Sequence, residues 1–549
     1  MMVGKSRWTV LVLLLVVVAL TACSYAQTVE TECGPVRGVV NEASGVAAFL
    51  GLPYAQPPVK HLRWQPAQAL SRDLGCWKGL RVASAFGKAC PQQYMPASVM
   101  SEDCLVLNVW TPNRTLHSSS SEKLPVMVFF HGGSYVMGSG HFDGSRFVNK
   151  SDHQVVLVSI NYRLNGFGFM ALDELSRHDS RGVSGNYGVT DMIASLEWVR
   201  KNIASFGGDP NLVTIFGQSS GGTAALMLLT APSAKGLFHR AILESASTRV
   251  DMSLADANAQ NRVFVKKAKC DGAADVYGCL LSLSTDQILE AIPWDEYPYY
   301  NHPTDMDIPI FEKGPGAMLG IVDGVTIPLP VDQALMAGLF NDVPTIIGTN
   351  EQEIDFAPAA HLENYTIPEF QDYIRKRYEV ATAYNGLPQK AYDSIGADIH
   401  ATCGQLLLAK NAGMGFKSPV FHYSFGQDPS HPFCLMPDWC AKYALHALEM
   451  FMLFDDYSAY MPTDYVPNAV DNKMGDIMRH FWLYFAKHGD TPSNDGFAKW
   501  WPINGNNVRW PEDYNTYRLT VKPTAHRGWK RQECEFWNAN GFYAFNWNS

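Results

Sequence analysis

Beyond its first 20 residues, the 549-residue chain has no hydrophobic run long enough to cross a bilayer, and it has no internal repeat or low-complexity tract. These absences argue against an integral membrane protein and against a repeat protein. No long polar linker divides the chain, and 47% of its residues are hydrophobic against 17% charged. We therefore expect one large globular domain with insertions rather than several small domains.

A surplus of positive charge is also missing, as are the spacings typical of metal ligands. Lysine and arginine number 43 against 53 aspartate and glutamate, which gives a net charge of −10. A negative protein has little attraction for nucleic acid or for an anionic membrane surface. No His-Glu-x-x-His pattern occurs. We expect no nucleic-acid partner, no metal and no other cofactor.

The N-terminus has the pattern of a secretory signal peptide. Lys5 and Arg7 precede an apolar run over residues 10–20, and small residues at Ser24 and Ala26 suit cleavage before residue 27. The sequence therefore predicts a signal peptide over residues 1–26, a mature domain over residues 27–549 and a secreted or extracellular protein.

A second interpretation of this segment is a bacterial lipobox, because Leu-Thr-Ala-Cys at residues 20–23 would place a lipid on Cys23. Secretion is the preferred interpretation, since removal of Cys23 leaves ten of eleven cysteines, an even number that suits an oxidising compartment. Three glycosylation sequons fit the same route: Asn113, Asn149 and Asn364.

The most informative stretch is VTIFGQSSGG at residues 213–222, followed by an apolar, alanine-rich run. It is typical of a strand that ends in a sharp turn and continues as a helix. The Gly217-x-Ser219-x-Gly221 spacing is that of a nucleophile elbow, in which glycines relieve the crowding around an exposed serine. At a helix N-terminus, backbone N–H groups would point toward an oxyanion formed beside Ser219.

The preceding segments predict a doubly wound α/β fold. Residues 125–130 form a continuous apolar run of the kind that parallel sheets bury, residues 155–160 predict another buried strand, and apolar residues recur at helical spacing over residues 193–203. The first of these strands ends in His-Gly-Gly-Ser at residues 131–134, where glycines can turn backbone N–H groups inward. Strand, helix, strand, elbow and helix place a site at the carboxyl ends of the strands.

An α/β-hydrolase orders its triad as serine, then acid, then histidine. Three acids follow the predicted strand that ends at Gly348: Glu351, Glu353 and Asp355. Their distance from the strand alone does not separate Glu351 from Glu353. Ten histidines follow the elbow. The candidates for the base are His446, His431, His422 and His480.

The chain resembles the type-B carboxylesterase and lipase family, which contains carboxylesterases, cholinesterases and juvenile hormone esterases. The resemblance is carried by the elbow, the His-Gly-Gly loop, and the segments GLPYAQPP at residues 51–58 and SEDCLVLNVW at residues 101–110. It implies an α/β-hydrolase fold with a mostly parallel central sheet flanked by helices. It also implies a serine hydrolase of neutral carboxylic esters that works through an acyl-enzyme on a small-molecule ester.

The resemblance assigns roles by position. Glu353, five residues after Gly348, matches the family's acid, and His446 lies in a similar Pro-acid-Trp then His-x-x-Glu setting. The implied oxyanion donors are the amides of Gly133, Ser134 and Ser220. A buried pair between Arg63 and Glu102 is implied too.

The resemblance also implies the bridges Cys90–Cys104, Cys270–Cys279 and Cys403–Cys534. By elimination the remaining pairs are Cys33–Cys76 and Cys434–Cys440.

Four departures from the family distinguish this chain. Ser134 and Ala447 stand where relatives usually have glycine. No tryptophan lies between Cys90 and Cys104, where cholinesterases bind a quaternary ammonium group against an indole ring. Gln218 precedes the nucleophile where cholinesterases have a glutamate and juvenile hormone esterases a glutamine. These last two departures predict a preference for uncharged esters.

Two other functions remain open from the sequence alone. A neutral-lipid lipase would need an apolar lid, for which the aromatic segment at residues 297–311 is a candidate. An esterase-like adhesion or binding protein would keep the fold without activity. The predicted triad favours an enzyme, and the sequence does not indicate the oligomeric state.

Overall fold

The computed structural model describes residues 24–93, 95–117, 122–294, 320–355, 388–436, 439–457, 465–493, 495–504 and 514–539. The strands in these ranges are β1 (Ser24–Thr31), β2 (Gly34–Asn41), β3 (Val46–Pro53), β4 (Arg81–Val82), β5 (Val106–Pro112), β6 (Leu124–Phe130), β7 (Val156–Ile160), β8 (Gly208–Gln218), β9 (Arg240–Glu244), β10 (Thr345–Asn350), β11 (Val420–Phe425), β12 (Phe433–Met436), β13 (Trp439–Ala441), β14 (Asn515–Leu519) and β15 (Thr524–Arg527).

The α-helices in the same ranges are α1 (Asn113–Leu116), α2 (Ser145–Lys150), α3 (Asn165–Phe169), α4 (Asp173–Ser176), α5 (Tyr187–Asn202), α6 (Ser220–Thr230), α7 (Leu254–Lys267), α8 (Val276–Ser282), α9 (Thr285–Ala291), α10 (Val331–Met336), α11 (Pro388–Ala397), α12 (Cys403–Gly415), α13 (Leu448–Phe454), α14 (Ala469–His488) and α15 (Arg531–Ala539). None of them is both long and apolar enough to cross a bilayer.

One large sheet organises the molecule, with strand order β1-β2-β3-β5-β7-β6-β8-β9-β10-β11-β14-β15 and β4 paired to β2. From β7 to β14 every neighbouring pair is parallel, and the strands toward both edges are antiparallel. The predicted α/β class with a mostly parallel sheet is confirmed. The short strands β12 and β13 form a separate hairpin.

The parallel strands are largely buried because both of their faces are covered. On one face, side chains such as Val128 and Ile215 join a core with residues of α5 and α6. On the other face, Phe129 and Phe216 join a second core with residues of α13 and α14. Alternate residues of one strand therefore enter different cores, and a strand of this kind cannot show a polar face.

The parallel arrangement brings together the loops that carry the candidate residues. Strands β6, β8, β9 and β10 are consecutive neighbours and run in the same direction. Their carboxyl ends are followed by His131, Ser219, Ser245 and Glu351 respectively. In open α/β sheets, ligands bind at this edge.

Five disulfides are present among the described residues, and they are the five pairs expected from the sequence. They are Cys33–Cys76, Cys90–Cys104, Cys270–Cys279, Cys403–Cys534 and Cys434–Cys440. Cys434–Cys440 joins the two strands of the β12–β13 hairpin, immediately before the segment that leads to His446. Cys403–Cys534 ties the first turn of α12 to the C-terminal helix α15.

The expected ion pair between Arg63 and Glu102 is confirmed. Arg63 Nε and Nη2 each donate a 2.7 Å hydrogen bond to a different carboxylate oxygen of Glu102. Both side chains are 9% exposed. Arg63 Nη1 also donates to the carbonyl oxygens of Leu281 and Leu283, so the pair joins three separate segments.

We predict that Arg63→Met destabilises the protein by about 3–5 kcal/mol, because it leaves the Glu102 carboxylate buried without its partner. Urea denaturation followed by fluorescence measures the change. The control is the double variant Arg63→Met/Glu102→Gln, which removes both charges and should be more stable than the single variant. Equal losses in the two variants would show that the unpaired charge is not the cause.

Candidate active site

Ser219 lies at a strained turn between β8 and α6, with φ 60° and ψ −129°. This region is unfavourable for a residue with a side chain, and the turn requires glycine on both sides. A Cβ on Gly217 would approach the Phe130 carbonyl oxygen to 2.6 Å, and one on Gly221 would approach it to 2.0 Å. The Gly-x-Ser-x-Gly spacing is thus a steric requirement of packing the turn against the end of β6.

Backbone hydrogen bonds hold this turn on both sides. The Ser219 amide donates to the Glu244 carbonyl oxygen at 2.8 Å, which ties the serine to the end of the neighbouring strand β9. The Thr223 amide donates to the Ser219 carbonyl oxygen at 3.0 Å, so the serine is also the first acceptor of α6. The serine is therefore held between the sheet and the helix N-terminus.

The loop after β6 lies against this turn. A Cβ on Gly132 would come within 3.1 Å of the Ser219 Cβ. Gly133 has φ 110° and Ser134 has φ 52°, so both residues adopt left-handed backbone. The Tyr135 amide donates to Ser220 Oγ at 3.2 Å. Within the described residues, no acceptor receives the amides of Gly133, Ser134 or Ser220.

Buried aromatic contacts support that loop from beneath. His131 is buried, and its ring stacks on Tyr162 with centroids 4.3 Å apart. The Tyr162 hydroxyl donates to the His131 carbonyl oxygen at 2.6 Å. Burial lowers the pKa of His131 to about 4, so this imidazole is neutral at physiological pH and serves as packing. The loop therefore rests on a rigid support.

The structure brings Glu353 and His446 into direct contact. His446 Nδ1 lies 2.5 Å from Glu353 Oε2. The other carboxylate oxygen of Glu353 accepts from Ser245 Oγ at 2.6 Å and from the backbone N–H of Asn350 at 2.8 Å. Because a carboxylate only accepts, Nδ1 carries the hydrogen, and Nε2 of the neutral ring is left as an acceptor.

A network of hydrogen bonds clamps the loop before His446 onto the loop that carries Glu353. Asp355 Oδ2 accepts from the amides of Lys442 and Tyr443 at 2.7 and 2.9 Å. The backbone N–H of Gln352 donates to the backbone carbonyl oxygen of residue 444 at 3.2 Å. Asn350 Nδ2 donates to the carbonyl oxygen of residue 445 at 2.6 Å. These contacts fix the backbone of residues 442–445, and that backbone in turn positions His446.

Gln218, the last residue of β8, connects this pair to the elbow. Its Nε2 lies 3.1 Å from Nε2 of His446. Gln218 directly precedes Ser219, so this contact brings Nε2 of the imidazole to the residue next to the serine. A Cβ on Gly132 would lie 3.4 Å from Gln218 Oε1, which places this side chain between the base and the oxyanion loop.

The other candidates for acid and base lie elsewhere. Glu351 forms a two-pronged pair with Arg518 at 2.5 and 2.8 Å, and its hydrogen bonds raise the pKa of the guanidinium. His422 is buried within β11, and desolvation lowers its pKa to about 3. His431 stacks on Tyr465. His480 pairs with Asp495 at 2.7 Å. Contact with Glu353 therefore distinguishes His446.

Two further acids lie buried behind the Glu353–His446 pair. Glu244 accepts from Trp482 Nε1 at 2.7 Å, and Glu449 accepts from Asn350 Nδ2. Desolvation raises the pKa of Glu244 to about 8. The pKa of Glu449 is raised well above its usual value by burial and by the charges of Glu353 and Glu244. Such perturbed carboxyls are typical of functional sites.

The sequence analysis named Asp355 as a candidate acid and Gln218 as the residue before the nucleophile, but it predicted neither their contacts here nor the presence of Ser245, Asn350 and Gln352 in this site. Ser245 and Asn350 bind Glu353, Gln352 and Asp355 hold the base loop, and Gln218 contacts the base. Each lies at or just after the carboxyl end of β8, β9 or β10. A search for polar residues at those strand ends would have found them.

The remaining site predictions have different outcomes. Asn149 is exposed on α2, whereas Asn113 is half-buried at the start of α1. Asn364, residues 1–23, the aromatic segment at residues 297–311, and Pro437 and Asp438 lie outside the described residues. No cluster of three metal-ligating side chains occurs in the described ranges.

Comparison with known proteins gives one family along almost the whole chain. The model of the "Carboxylesterase family" matches residues 25–537. Human cocaine esterase is 29% identical over 556 residues, covering 92% of this chain and 90% of the esterase. Para-nitrobenzyl esterase of Bacillus subtilis (strain 168) is 29% identical over 519 residues, with 90% and 94% covered. Fumonisin B1 esterase of Sphingopyxis macrogoltabida is 31% identical over 496 residues, with 86% and 84% covered.

Solved structures have the same fold. A PNB esterase superimposes with a TM-score of 0.71 at 27% identity, covering 93% of this chain and all of the esterase. EstA of Aspergillus niger gives a TM-score of 0.75 at 23% identity, with 95% and 99% covered. At 23% identity, the similarity to EstA supports the fold alone.

We predict that Glu244→Gln stabilises the protein more at pH 8 than at pH 5. The pKa of Glu244 is raised in the folded state, so its contribution to stability is fully present below about pH 4.5 and is lost as pH rises toward 8. Glutamine does not titrate. The free energy of unfolding of the variant relative to the native protein should improve by about 1 kcal/mol or more between the two pH values.

Urea denaturation at both pH values measures this difference. The matched control is Glu290→Gln, because Glu290 is exposed on α9 and the same substitution there should show no pH-dependent gain. A gain for Glu244→Gln that is equal at pH 5 and pH 8 would contradict the prediction.

Proposed function

The chain belongs to the carboxylesterase family and is a carboxylesterase-type hydrolase, and from this premise we propose that it cleaves uncharged carboxylic esters through an acyl-enzyme on Ser219. The observation that carries the proposal is the 2.5 Å contact between Glu353 and His446, whose Nε2 lies 3.1 Å from Gln218, the residue next to Ser219. The relatives are named for three different compounds, which supports ester hydrolysis without indicating one substrate.

In the first half-reaction, His446 Nε2 takes the Ser219 proton as Oγ attacks the ester carbonyl carbon. Glu353 holds the imidazole through Nδ1–H and stabilises the imidazolium that forms. The resulting tetrahedral oxyanion is bound by the amides of Gly133, Ser134 and Ser220. Collapse of this intermediate breaks the bond to the alcohol oxygen, which receives the proton from Nε2.

In the second half-reaction, water takes the place of the alcohol. His446 accepts a proton from the water as it attacks the acyl-enzyme, and the same amides bind the second oxyanion. Return of the proton to Ser219 Oγ releases the carboxylic acid. The backbone donors need no reorganisation between the two steps, because the strained turn and the stacked His131 hold them in place.

The preference for uncharged esters rests on two residue positions. Gln218 is neutral, so the residue beside the nucleophile provides no negative charge to attract a cationic alcohol. The segment between Cys90 and Cys104 has no tryptophan to bind a quaternary ammonium group. Neither position therefore gives a choline ester a binding advantage over an ester without a positive charge.

We further propose secretion, with cleavage of residues 1–26 and glycosylation at the exposed Asn149. The five disulfides are compatible with an oxidising compartment. Expression in a eukaryotic secretory host, followed by N-terminal sequencing of protein from the medium, should give a sequence that begins at Gln27. A chain retained in the cells with an intact N-terminus would contradict this prediction.

We predict that Ser219→Ala lowers kcat for p-nitrophenyl butyrate by on the order of 10⁴-fold or more, because the variant lacks the hydroxyl that we propose forms the acyl-enzyme. The variant should keep its folding, as judged by circular dichroism and urea denaturation. Folded Ser219→Ala protein that retains most of its activity would refute the nucleophile assignment.

A pair of histidine variants serves as the control for the base. His446→Ala should show a loss similar to that of the serine variant, since the two residues act as one unit. His431→Ala removes an exposed ring that stacks on Tyr465 and should retain native activity. Native activity in His446→Ala would exclude it as the base.

We predict a higher kcat/KM for a neutral butyryl thioester than for butyrylthiocholine at fixed ionic strength. The acyl group and the thioester linkage are the same, so the comparison isolates the charge of the leaving group. Cation–π attraction would be worth about 0.5–2 kcal/mol where an indole is present, and its absence removes that advantage. A clear preference for butyrylthiocholine would overturn the proposed substrate class.

A further inference from the structure

The contact between Gln218 and His446 occupies an atom that the reaction requires. Gln218 is 3% exposed, and its Nε2 lies 3.1 Å from His446 Nε2. The imidazole hydrogen is on Nδ1, where Glu353 accepts it, so Nε2 presents its single lone pair. The amide group of Gln218 therefore donates to the lone pair that must receive the Ser219 proton.

From this geometry, and on the basis of the function proposed above, we propose that Gln218 is a positioning residue that alternates between two hydrogen bonds with His446. In the resting enzyme its amide nitrogen donates to the neutral ring. During each half-reaction, when Nε2 carries the proton from Ser219 or from water, its amide oxygen accepts from that nitrogen. No covalent bond of Gln218 is made or broken during this exchange.

A terminal amide is suited to this exchange. A half-turn about the last side-chain torsion swaps a donor for an acceptor at nearly the same position, and this torsion is broad and roughly two-fold. Gln218 Oε1 faces Gly132 of the oxyanion loop in the resting arrangement. The side chain therefore lies at the boundary between the base and the reacting centre, and the approach of substrate along that loop displaces the resting contact.

Gln218 is a neutral hydrogen-bonding contact of His446, whereas the ionisable groups near this ring within the described residues are mostly acids. The ionisable groups around His446 are Glu353 on the acid loop, Glu449 on α13 and Glu244 on β9, with Tyr423 of β11 facing the same three carboxyls. His131 lies beneath the oxyanion loop and is held neutral by burial. These groups are identical in any variant of Gln218, so a difference between such variants reports on position 218.

The test compares Gln218→Glu with Gln218→Met. Glutamate has nearly the same shape as glutamine, but its ionised carboxylate can only accept a hydrogen bond. It therefore stabilises the protonated imidazole of His446 relative to the neutral imidazole of the resting enzyme. For Gln218→Glu we expect the acid limb of the kcat/KM profile for p-nitrophenyl butyrate to move upward by about one pH unit or more. On the acid limb, well below the native midpoint, its kcat/KM should be about tenfold lower, with recovery toward the native value at pH 9.

Methionine matches the volume of glutamine but forms neither of the two hydrogen bonds. For Gln218→Met we expect kcat to fall by about 3- to 10-fold at the alkaline plateau, with KM unchanged and the acid limb at its native pH. The contrast between a shifted limb and a lowered plateau is a result that a purely structural role would not give. Urea denaturation of both variants establishes that they are folded.

Native protein without p-nitrophenyl butyrate hydrolysis would refute the proposed function itself. If the native protein is active, two results overturn the present inference alone: an acid limb in Gln218→Glu that stays at the native pH, or losses in both variants that are equal at every pH. A shifted limb with Gln218→Glu together with a lowered plateau with Gln218→Met supports it.

Discussion

The whole site depends on how two separate loops are joined, because the acid and the base arrive from distant parts of the chain. Side chains of the acid loop bind the backbone of the base loop at residues 442–445, and only then can Glu353 reach His446. Because the contacts hold the backbone of the base loop rather than a rotatable side chain, the imidazole ring of His446 can move little. The short acid–base contact is therefore a product of loop docking as much as of the two side chains.

That docking is possible because the central sheet is parallel. Strands β8, β9 and β10 deliver Gln218, Glu244 and Asn350 to one edge, where the serine turn and the acid loop begin, and the loop that leads to His446 reaches this edge from the separate β12–β13 hairpin. The same arrangement forces acids into the interior, where Glu244 and Glu449 have raised pKa values. A parallel sheet thus gives a rigid frame for the site and creates the low-dielectric surroundings that strengthen its electrostatic interactions.

The sequence was sufficient for the fold class, the elbow and the continuous buried strands, because these follow from local steric rules and hydrophobic pattern. The choice between Glu351 and Glu353 could not be made from spacing alone, because each follows the same strand by a similar distance. The structure separates them through Arg518, whose pairing with Glu351 depends on a strand 167 residues later. The contact between Gln218 and His446 spans 228 residues and has no local signal either. Long-range pairing is the information that a single sequence does not contain.

The order of the chain has a consequence for the protein during its synthesis. The elbow and the oxyanion loop use residues up to about the end of β9, whereas the base lies 227 residues after Ser219 (446 − 219). At ribosomal elongation rates of about 5–20 residues per second, roughly 10–45 s separate the emergence of the nucleophile from that of its base. Throughout that interval the nascent chain contains Ser219 without the histidine that we propose activates it. On the proposed mechanism, hydrolysis is thus confined to molecules whose translation has passed His446.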